Sequence, residues 1–141
     1  MISLWYGLAF KSAFNKEVDF DSDTIKAAMC TSTYTPNQDT HQYFSSITNE
    51  LSGGNYSQQT LGSKTVNYTS GTNLFWLDCG DVTFAAITAT NVRYAIFFLD
   101  TGSAATSPLL CYWDFETNLN PTGEDVKLTI AAGGLASVTI S

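Results

Sequence analysis

The segment that decides the fold is NVRYAIFFLDTGSAATSPLLCYWDF, residues 91–115. It consists of two apolar runs, 92–99 and 109–115, separated by a loop of small and hydroxyl residues. At the two-residue period of a β-strand, both runs place large apolar side chains on both faces. In the first run, one face carries Val92, Tyr94, Ile96 and Phe98, and the other carries Arg93, Ala95, Phe97 and Leu99. A strand with one face in water needs only one apolar face, so the pattern predicts a second covering layer.

The other strand candidates are short, and Gly-rich or polar turns separate them. They are residues 24–32, 57–61, 64–68, 73–77, 82–84, 126–131 and 135–140. Gly133 and Gly134 predict a hairpin between the last two. Short strands, frequent turns and little helix predict an all-β fold, namely a β-sandwich of short antiparallel strands, jelly-roll or lectin-like. A chain of 141 residues is expected to form one domain over residues 1–141.

Two segments fall outside this strand pattern. Residues 1–20 are predicted to form an N-terminal arm, either helical or extended, and Phe10 and Phe14 have the four-residue spacing of one helix face. Residues 35–55 are predicted to form a loop or helical excursion, in which Asp39 caps a short helix that ends near Ile47.

The covering layer predicted for the two-faced strands has three possible sources. The N-terminal arm and the 35–55 excursion both carry aromatic residues and belong to the chain itself, and the third source is another molecule. If another molecule covers the strands, the side chains that meet it are expected to be the exposed apolar ones of the arm and of the outer strand faces. These candidate interface residues are Leu4, Trp5, Tyr6, Phe10, Phe14, Phe97, Leu99 and Tyr112.

Charge and hydropathy argue against nucleic acid and membranes as partners. Six basic residues stand against thirteen acidic ones, for a net charge of -7, whereas a nucleic-acid binder needs a basic surface. No run approaches the roughly 20 apolar residues of a membrane helix, and MISLWYGLAF lacks the basic start of a signal peptide. We therefore expect no contact with nucleic acid or with a membrane.

The sequence offers no convincing catalytic or cofactor site. Its single histidine, His41, has no partner spacing for a triad, and Cys30, Cys79 and Cys111 lie in apolar or alternating runs and are expected to be buried free thiols. Buried free thiols indicate a reducing compartment. The three cysteines are too widely spaced for a zinc site, and we expect no cofactor and no enzymatic activity.

Three groups of acidic residues could serve as metal ligands or as catalytic carboxylate pairs. Asp19, Asp21 and Asp23 resemble the start of a calcium loop, but the sixth position is not Gly and the twelfth is not Glu. An acidic turn is the expectation, with a weak calcium site as the alternative. Two carboxylate pairs could in principle serve a glycosidase, although nothing in the sequence fixes their separation. They are Asp78 with Asp81 and Asp114 with Glu116.

Three segments together resemble a group of small tailed-bacteriophage virion proteins. They are KSAFNKEVDFDSDTIKAAMCTSTYTPNQDTHQYF (11–44), DCGDVTFAAITATNVRYAIFFLDTGSAATSPLLCYWDF (78–115) and KLTIAAGGLASVTIS (127–141). The resemblance covers nearly the whole chain and brings no catalytic residues with it. The group often has a glycine shortly after the position of Phe115, where this chain has Glu116 and Thr117.

The resemblance implies a non-enzymatic structural protein of a phage particle, made in the bacterial host cytoplasm. Among such proteins we expect a capsid decoration or cement protein on the outer head surface, with the major capsid protein and copies of itself as partners, as a homotrimer. A tail, baseplate or fibre component and a carbohydrate-binding, lectin-like module are the alternatives. For glycan stacking, the loop aromatics Tyr34, Tyr43 and Tyr56 are the candidates.

Overall fold

The computed structural model describes all residues, 1–141, and its secondary structure is mostly β. Strands account for 45% of the residues and helices for 9%, which places the chain in the all-β class. The strands are β1 (Ile2–Trp5), β2 (Ile25–Thr31), β3 (Gln59–Thr60), β4 (Thr65–Thr69), β5 (Leu74–Asp78), β6 (Val82–Thr88), β7 (Val92–Leu99), β8 (Leu109–Leu119), β9 (Thr122–Leu128) and β10 (Ala136–Thr139). One α-helix, α1 (Leu8–Phe14), and two 3₁₀ turns, Phe44–Ser46 and Ala104–Thr106, complete the fold. None of the helices has the length and hydrophobicity needed to span a bilayer.

The strands form three antiparallel sheets, which confirms the predicted all-β, sandwich-like architecture. The large sheet has the order β1-β8-β7-β2-β3, and the smaller sheets are β10-β5-β4 and β6-β9. The main hydrophobic core joins one face of the large sheet to side chains from both smaller sheets, among them Phe97, Trp113, Leu77 and Phe84. The two runs that decided the fold, β7 and β8, pair with each other as expected.

The N-terminal arm is extended and helical in succession. β1 pairs with β8 at one edge of the large sheet, and α1 follows after Gly7 without a side-chain cap. Both alternatives offered by the sequence therefore occur, separated only by Tyr6 and Gly7, and both lie on the chain's own body.

The predicted hairpin at Gly133 and Gly134 is wrong. β9 pairs with β6, whereas β10 pairs with β5, so the two strands belong to different sheets. Gly134 has φ +76°, and the backbone there passes directly against Leu77 and Trp76. The glycine pair thus lets the chain approach β5 closely enough for β10 to add to it, which a local turn signal does not reveal.

The 35–55 excursion, predicted as a loop or a helical excursion, is mostly loop. Its only helical element in this range is the 3₁₀ turn at Phe44–Ser46, whose N-cap is Tyr43, so the capping role predicted for Asp39 is wrong. The side chain of Asn37 accepts hydrogen bonds from the backbone N–H groups of Asp39 and Thr40, at 3.0 and 3.1 Å. This side-chain turn satisfies locally the donors that a helix start would otherwise present.

Glu116 occupies the position near which the resembling proteins often carry glycine. Its φ is +63°, a left-handed conformation that glycine adopts more readily than other residues. Its backbone N–H donates to Asp114 Oδ1 at 2.7 Å, and the register between β7 and β8 shifts beside this position. The backbone at Glu116 therefore has a conformation that suits glycine although the residue is glutamate.

Candidate binding surface

The second face of the large sheet is covered by the chain itself. A separate cluster on that face contains Ile96, Phe98, Leu109 and Tyr112, and segments from outside the sheet pack on it. Phe44 from the excursion stacks on Phe98 with ring centroids 4.1 Å apart. The cover therefore comes from the 35–55 excursion and the N-terminal arm, which were two of the three sources proposed from the sequence.

Four of the eight candidate interface residues are consequently unavailable as a surface. Tyr6 and Phe97 are fully buried, and Leu99 and Tyr112 are at most 6% exposed. Phe97 and Leu99 belong to the core between the sheets, and Tyr6 and Tyr112 belong to the cluster under the excursion. In this fold their expected interface role is corrected to a packing role, because the chain's own residues already surround them.

A hydrogen-bond chain that begins at the buried Tyr6 and ends at the partly exposed His41 ties the excursion to the N-terminal arm. The hydroxyl of Tyr6 lies 2.9 Å from that of Tyr34, which lies 2.9 Å from Nδ1 of His41. The backbone N–H of Asn37 also points at Nδ1, at 3.3 Å. Because an amide N–H can only donate, Nδ1 is the acceptor, and the Tyr34 hydroxyl donates to it. Burial raises the pKa of both tyrosines, so they remain protonated donors.

Acidification is expected to weaken this cover. Burial lowers the pKa of His41 below its ordinary value of 6.5, so the unfolded chain binds the proton first as the pH falls. Stability is therefore highest above pH 6.5, declines as the pH drops below it, and levels off below the folded pKa. Thermal unfolding between pH 7.5 and 5 checks this decline. In His41→Asn, whose amide oxygen accepts without titrating, the loss over this window should shrink; an equal loss in both proteins contradicts the assignment to His41.

The other four candidate residues lie in the N-terminal segment, and two of them, Trp5 and Phe10, line an apolar groove. The groove is lined only by hydrophobic residues and has a volume of about 210 Å³. Trp5 and Phe10 form one wall, with ring centroids 5.0 Å apart, and Val66 and Phe75 on the small sheet form the other. Since a cavity of about 150 Å³ admits benzene, the groove can accept one side chain of aromatic size.

Phe14 is the last residue of α1 and follows the groove-lining Ala13, and 86% of its surface is exposed. It is one helical turn beyond Phe10, so the two rings lie on the same side of α1. The fourth residue, Leu4, is half-buried and packs on the opposite cluster under the excursion. We define the Phe14 surface as Phe10, Phe14, Val66 and Tyr68, whose exposures are 37%, 86%, 46% and 55%.

Val66 and Tyr68 are members of this surface that sequence reasoning missed. They alternate along β4 and share the face on which the paired residues Leu77 and Phe75 lie. The segment was predicted as a strand, but strand period alone cannot tell whether an apolar face packs or stays open. The available signal was the neighbouring polar residues Thr65, Asn67 and Thr69, which place this strand near solvent.

A second, polar cleft lies near the excursion and contains one of the three aromatic candidates for glycan stacking. It is lined by Glu17, Tyr43, Thr101, Ala105 and Thr106. The Tyr43 hydroxyl donates to Glu17 Oε2 at 2.9 Å, and the hydroxyls of Thr101 and Thr106 are 2.7 Å apart. The other two candidates serve packing: Tyr34 is 1% exposed, and Tyr56 stacks on Phe84.

The acidic groups read from the sequence are engaged in structural contacts. Asp114 pairs with Arg93, and Glu116 with the N-terminal amine. Asp81 pairs with Lys127 at 2.9 Å. The hydrogen bonds from Arg93 and Lys127 hold the pKa values of Asp114 and Asp81 below their ordinary range, so both are ionised and poorly suited to act as general acids.

The potential metal ligands are similarly accounted for. Asp19 and Asp23 hydrogen-bond within their own turn: the Asp19 N–H donates to Asp23 Oδ2 at 2.7 Å. No group of three or more His, Cys, Asp or Glu side chains is arranged to hold a metal ion. Cys30, Cys79 and Cys111 are free and buried, as predicted, and burial raises the pKa of the Cys79 thiol to about 11.

Comparison with known proteins gave no match. No family model matches the chain, no curated protein matches it in sequence, and no solved structure matches it in fold. The functional conclusion therefore depends on the chain's own surfaces and on the motif resemblance of its sequence.

Proposed function

We propose that this chain is a non-enzymatic structural protein of a tailed-phage particle, a decoration or cement protein that attaches to the outside of the head. The observation that carries a binding role is the Phe14 surface, four exposed apolar side chains of which two, Phe10 and Val66, line a groove formed only by hydrophobic residues. Large exposed apolar patches on small proteins mark sites of interaction. The motif resemblance carries the phage assignment, and the net charge of -7 suits a location away from packaged DNA.

The proposed mechanism consists of binding alone. An aromatic side chain such as Phe14 supplies a large apolar contact, and the groove beside it receives a side chain from the major capsid protein. A protein that binds assembled capsid subunits better than separate ones stabilises the shell by mass action, by RT ln(1 + [L]/Kd) per site. Several linked copies strengthen each weak contact through effective concentration.

Replacing Phe14 with alanine is expected to weaken binding to heads at least tenfold, since a hot-spot aromatic at the centre of a contact contributes about 2 kcal/mol or more. Binding is measured by adding purified protein to heads that lack it, followed by sedimentation. Ile2→Ala is the matched control, because Ile2 is 45% exposed but lies on the other face of β1 from Trp5. Equal losses in both variants, or no loss in either, would exclude the Phe14 surface as the binding site.

Cryo-electron microscopy of the whole particle tests the location. Density on the outer capsid surface, bridging subunits, supports the decoration role. Density confined to the tail excludes it and favours the tail or baseplate alternative, with the same Phe14 surface as the contact.

The lectin alternative has one specific observation in its favour, the Tyr43 cleft with its carboxylate and hydroxyl groups. A glycan bound there should quench or shift tyrosine fluorescence, and Tyr43→Ala should abolish the change. Absence of any response across a glycan panel argues against this alternative.

A further inference from the structure

The six sheet edges of this fold differ in how they are protected from pairing with another chain. β1 and β10 lie side by side: Trp5 Nε1 donates to the Ser137 carbonyl at 2.8 Å, and Ser3 Oγ donates to the Leu135 carbonyl at 2.9 Å. β3 has only two residues, and the pairing of β6 with β9 is interrupted by register shifts. β9 also carries three charged residues, Glu124, Asp125 and Lys127. Short length, irregularity and charge are the usual means of blocking edge-to-edge association.

β4 has none of these protections. Its five residues, Thr65–Thr69, contain no charge and no proline, and its pairing with β5 is regular throughout. The nearest charge, Lys64, is turned back to donate to the carbonyl of Asp23. Its second edge therefore presents unpaired backbone groups beside the exposed side chains of Val66 and Tyr68.

We propose that β4 pairs with β4 of a second copy of this chain, antiparallel and centred on Asn67. In that register Val66 lies opposite Tyr68 of the other copy, and Thr65 lies opposite Thr69. The segment TVNYT is thus complementary to itself: an apolar residue meets an apolar one on one face, and threonine meets threonine on the other. A two-fold axis perpendicular to the sheet keeps both apolar pairs on the groove side and joins two three-stranded sheets into one of six strands.

The available area suits a reversible dimer. A full aromatic side chain offers about 200 Å², so the exposed parts of Val66 and Tyr68 together amount to roughly 200 Å² per copy. The backbone edge and the polar side chains of β4 add to this, and two copies together stay below about 1,000 Å². An interface of that size gives weak or transient association, and it leaves Phe14 free.

Because both copies use the same patch, the dimer leaves no free copy of that patch, and the contact does not extend to larger assemblies. The homotrimer implied by the resemblance is the competing arrangement, and the size of the assembly in solution distinguishes the two. Each copy carries a net charge of -7, so the two repel each other, and added salt should strengthen the dimer by screening that repulsion. The inference concerns the isolated chain and does not depend on the phage assignment.

Two double variants with substitutions at the same exposed positions test the register. In Thr65→Lys/Thr69→Lys, each new lysine faces a lysine of the other copy, and the dimer should be lost. In Thr65→Lys/Thr69→Glu, each new lysine faces a new glutamate, and the dimer should persist. The first variant has the smaller net negative charge, so overall repulsion cannot account for its dissociation.

Sedimentation equilibrium measures the mass of the assembly, which is 15.3 kDa for one copy. The measurement is repeated at increasing salt concentration. A dimer for the native chain and the Lys/Glu variant, together with a monomer for the Lys/Lys variant, supports the proposal. A native chain that stays monomeric at high concentration, one that forms trimers, or a Lys/Lys variant that still dimerises overturns it.

Discussion

Replacement of Phe97 by alanine is expected to lower the free energy of unfolding by about 3–5 kcal/mol. Phe97 is fully buried, and its ring lies 5.5 Å from that of Trp113. Its neighbours across the sheet are the small residues Ala27 and Cys111, which cannot extend into the space left behind. The cavity should therefore persist, and urea denaturation at pH 7.5 should place the loss within this range.

Phe14→Ala is the control for this measurement, since it removes the same atoms from a side chain that is 86% exposed. Its unfolding free energy should change by no more than about 0.5 kcal/mol. A loss below 1 kcal/mol in Phe97→Ala would contradict the packing of the main core. If Phe97→Ala kept the native free energy of unfolding but no longer bound the particle, the interface role expected for Phe97 from the sequence would be supported instead.

Gly134→Ala is expected to destabilise the protein by about 2–4 kcal/mol, through left-handed strain together with overpacking. At φ +76° an added Cβ would overlap the carbonyl of Leu77 and come within 2.6 Å of Cδ1 of Trp76. The backbone of β5 cannot move away, because it pairs with β4 and β10 on its two sides. Loss of stability should be seen as a lower urea midpoint.

The adjacent glycine supplies a matched control for that experiment. An added Cβ at Gly133 meets nothing within 4 Å, and its backbone is not in the left-handed region. Gly133→Ala should leave stability unchanged or raise it by up to about 1 kcal/mol, because alanine restricts the unfolded chain. Equal effects at the two glycines would show that the close approach of residue 134 to β5 does not control stability.

Local pattern predicted the strands better than it predicted their partners. The two-sided apolar runs predicted β7 and β8. The strand predicted over residues 24–32 extends one residue beyond the observed β2 at each end. The pairing of β10 with β5 joins residues some sixty positions apart in the chain. Gly133 and Gly134 indicate a turn, but they do not indicate which strand pairs with β10. Phe97 and Tyr112 were assigned to an open surface for the same reason, since a pattern shows that a face needs a cover but not which segment provides it.

The candidate site was partly predictable. Trp5, Phe10 and Phe14 were selected as apolar residues of the N-terminal arm that another molecule could meet, and the structure places Trp5 and Phe10 in the lining of one groove and leaves Phe14 exposed. Val66 and Tyr68 were not selected, because their exposure results from the edge position of β4. Edge position is a property of the assembled sheet order, which the sequence of a single strand does not encode.

The contact between β1 and β10 has a consequence for how the chain is made. Residues Ser3 and Trp5 donate hydrogen bonds to the backbone at Leu135 and Ser137, so the first strand finds part of its environment more than 130 residues later. Such distant contacts slow folding, because the chain loses the entropy of closing a long loop before these contacts can stabilise it. A ribosome that has synthesised only the first hundred residues therefore holds a chain that cannot yet close, and the native structure should form after Ser137 has left the exit tunnel. Pulse-labelling of chains stalled behind a C-terminal linker of increasing length should show protease resistance arising late and in one step.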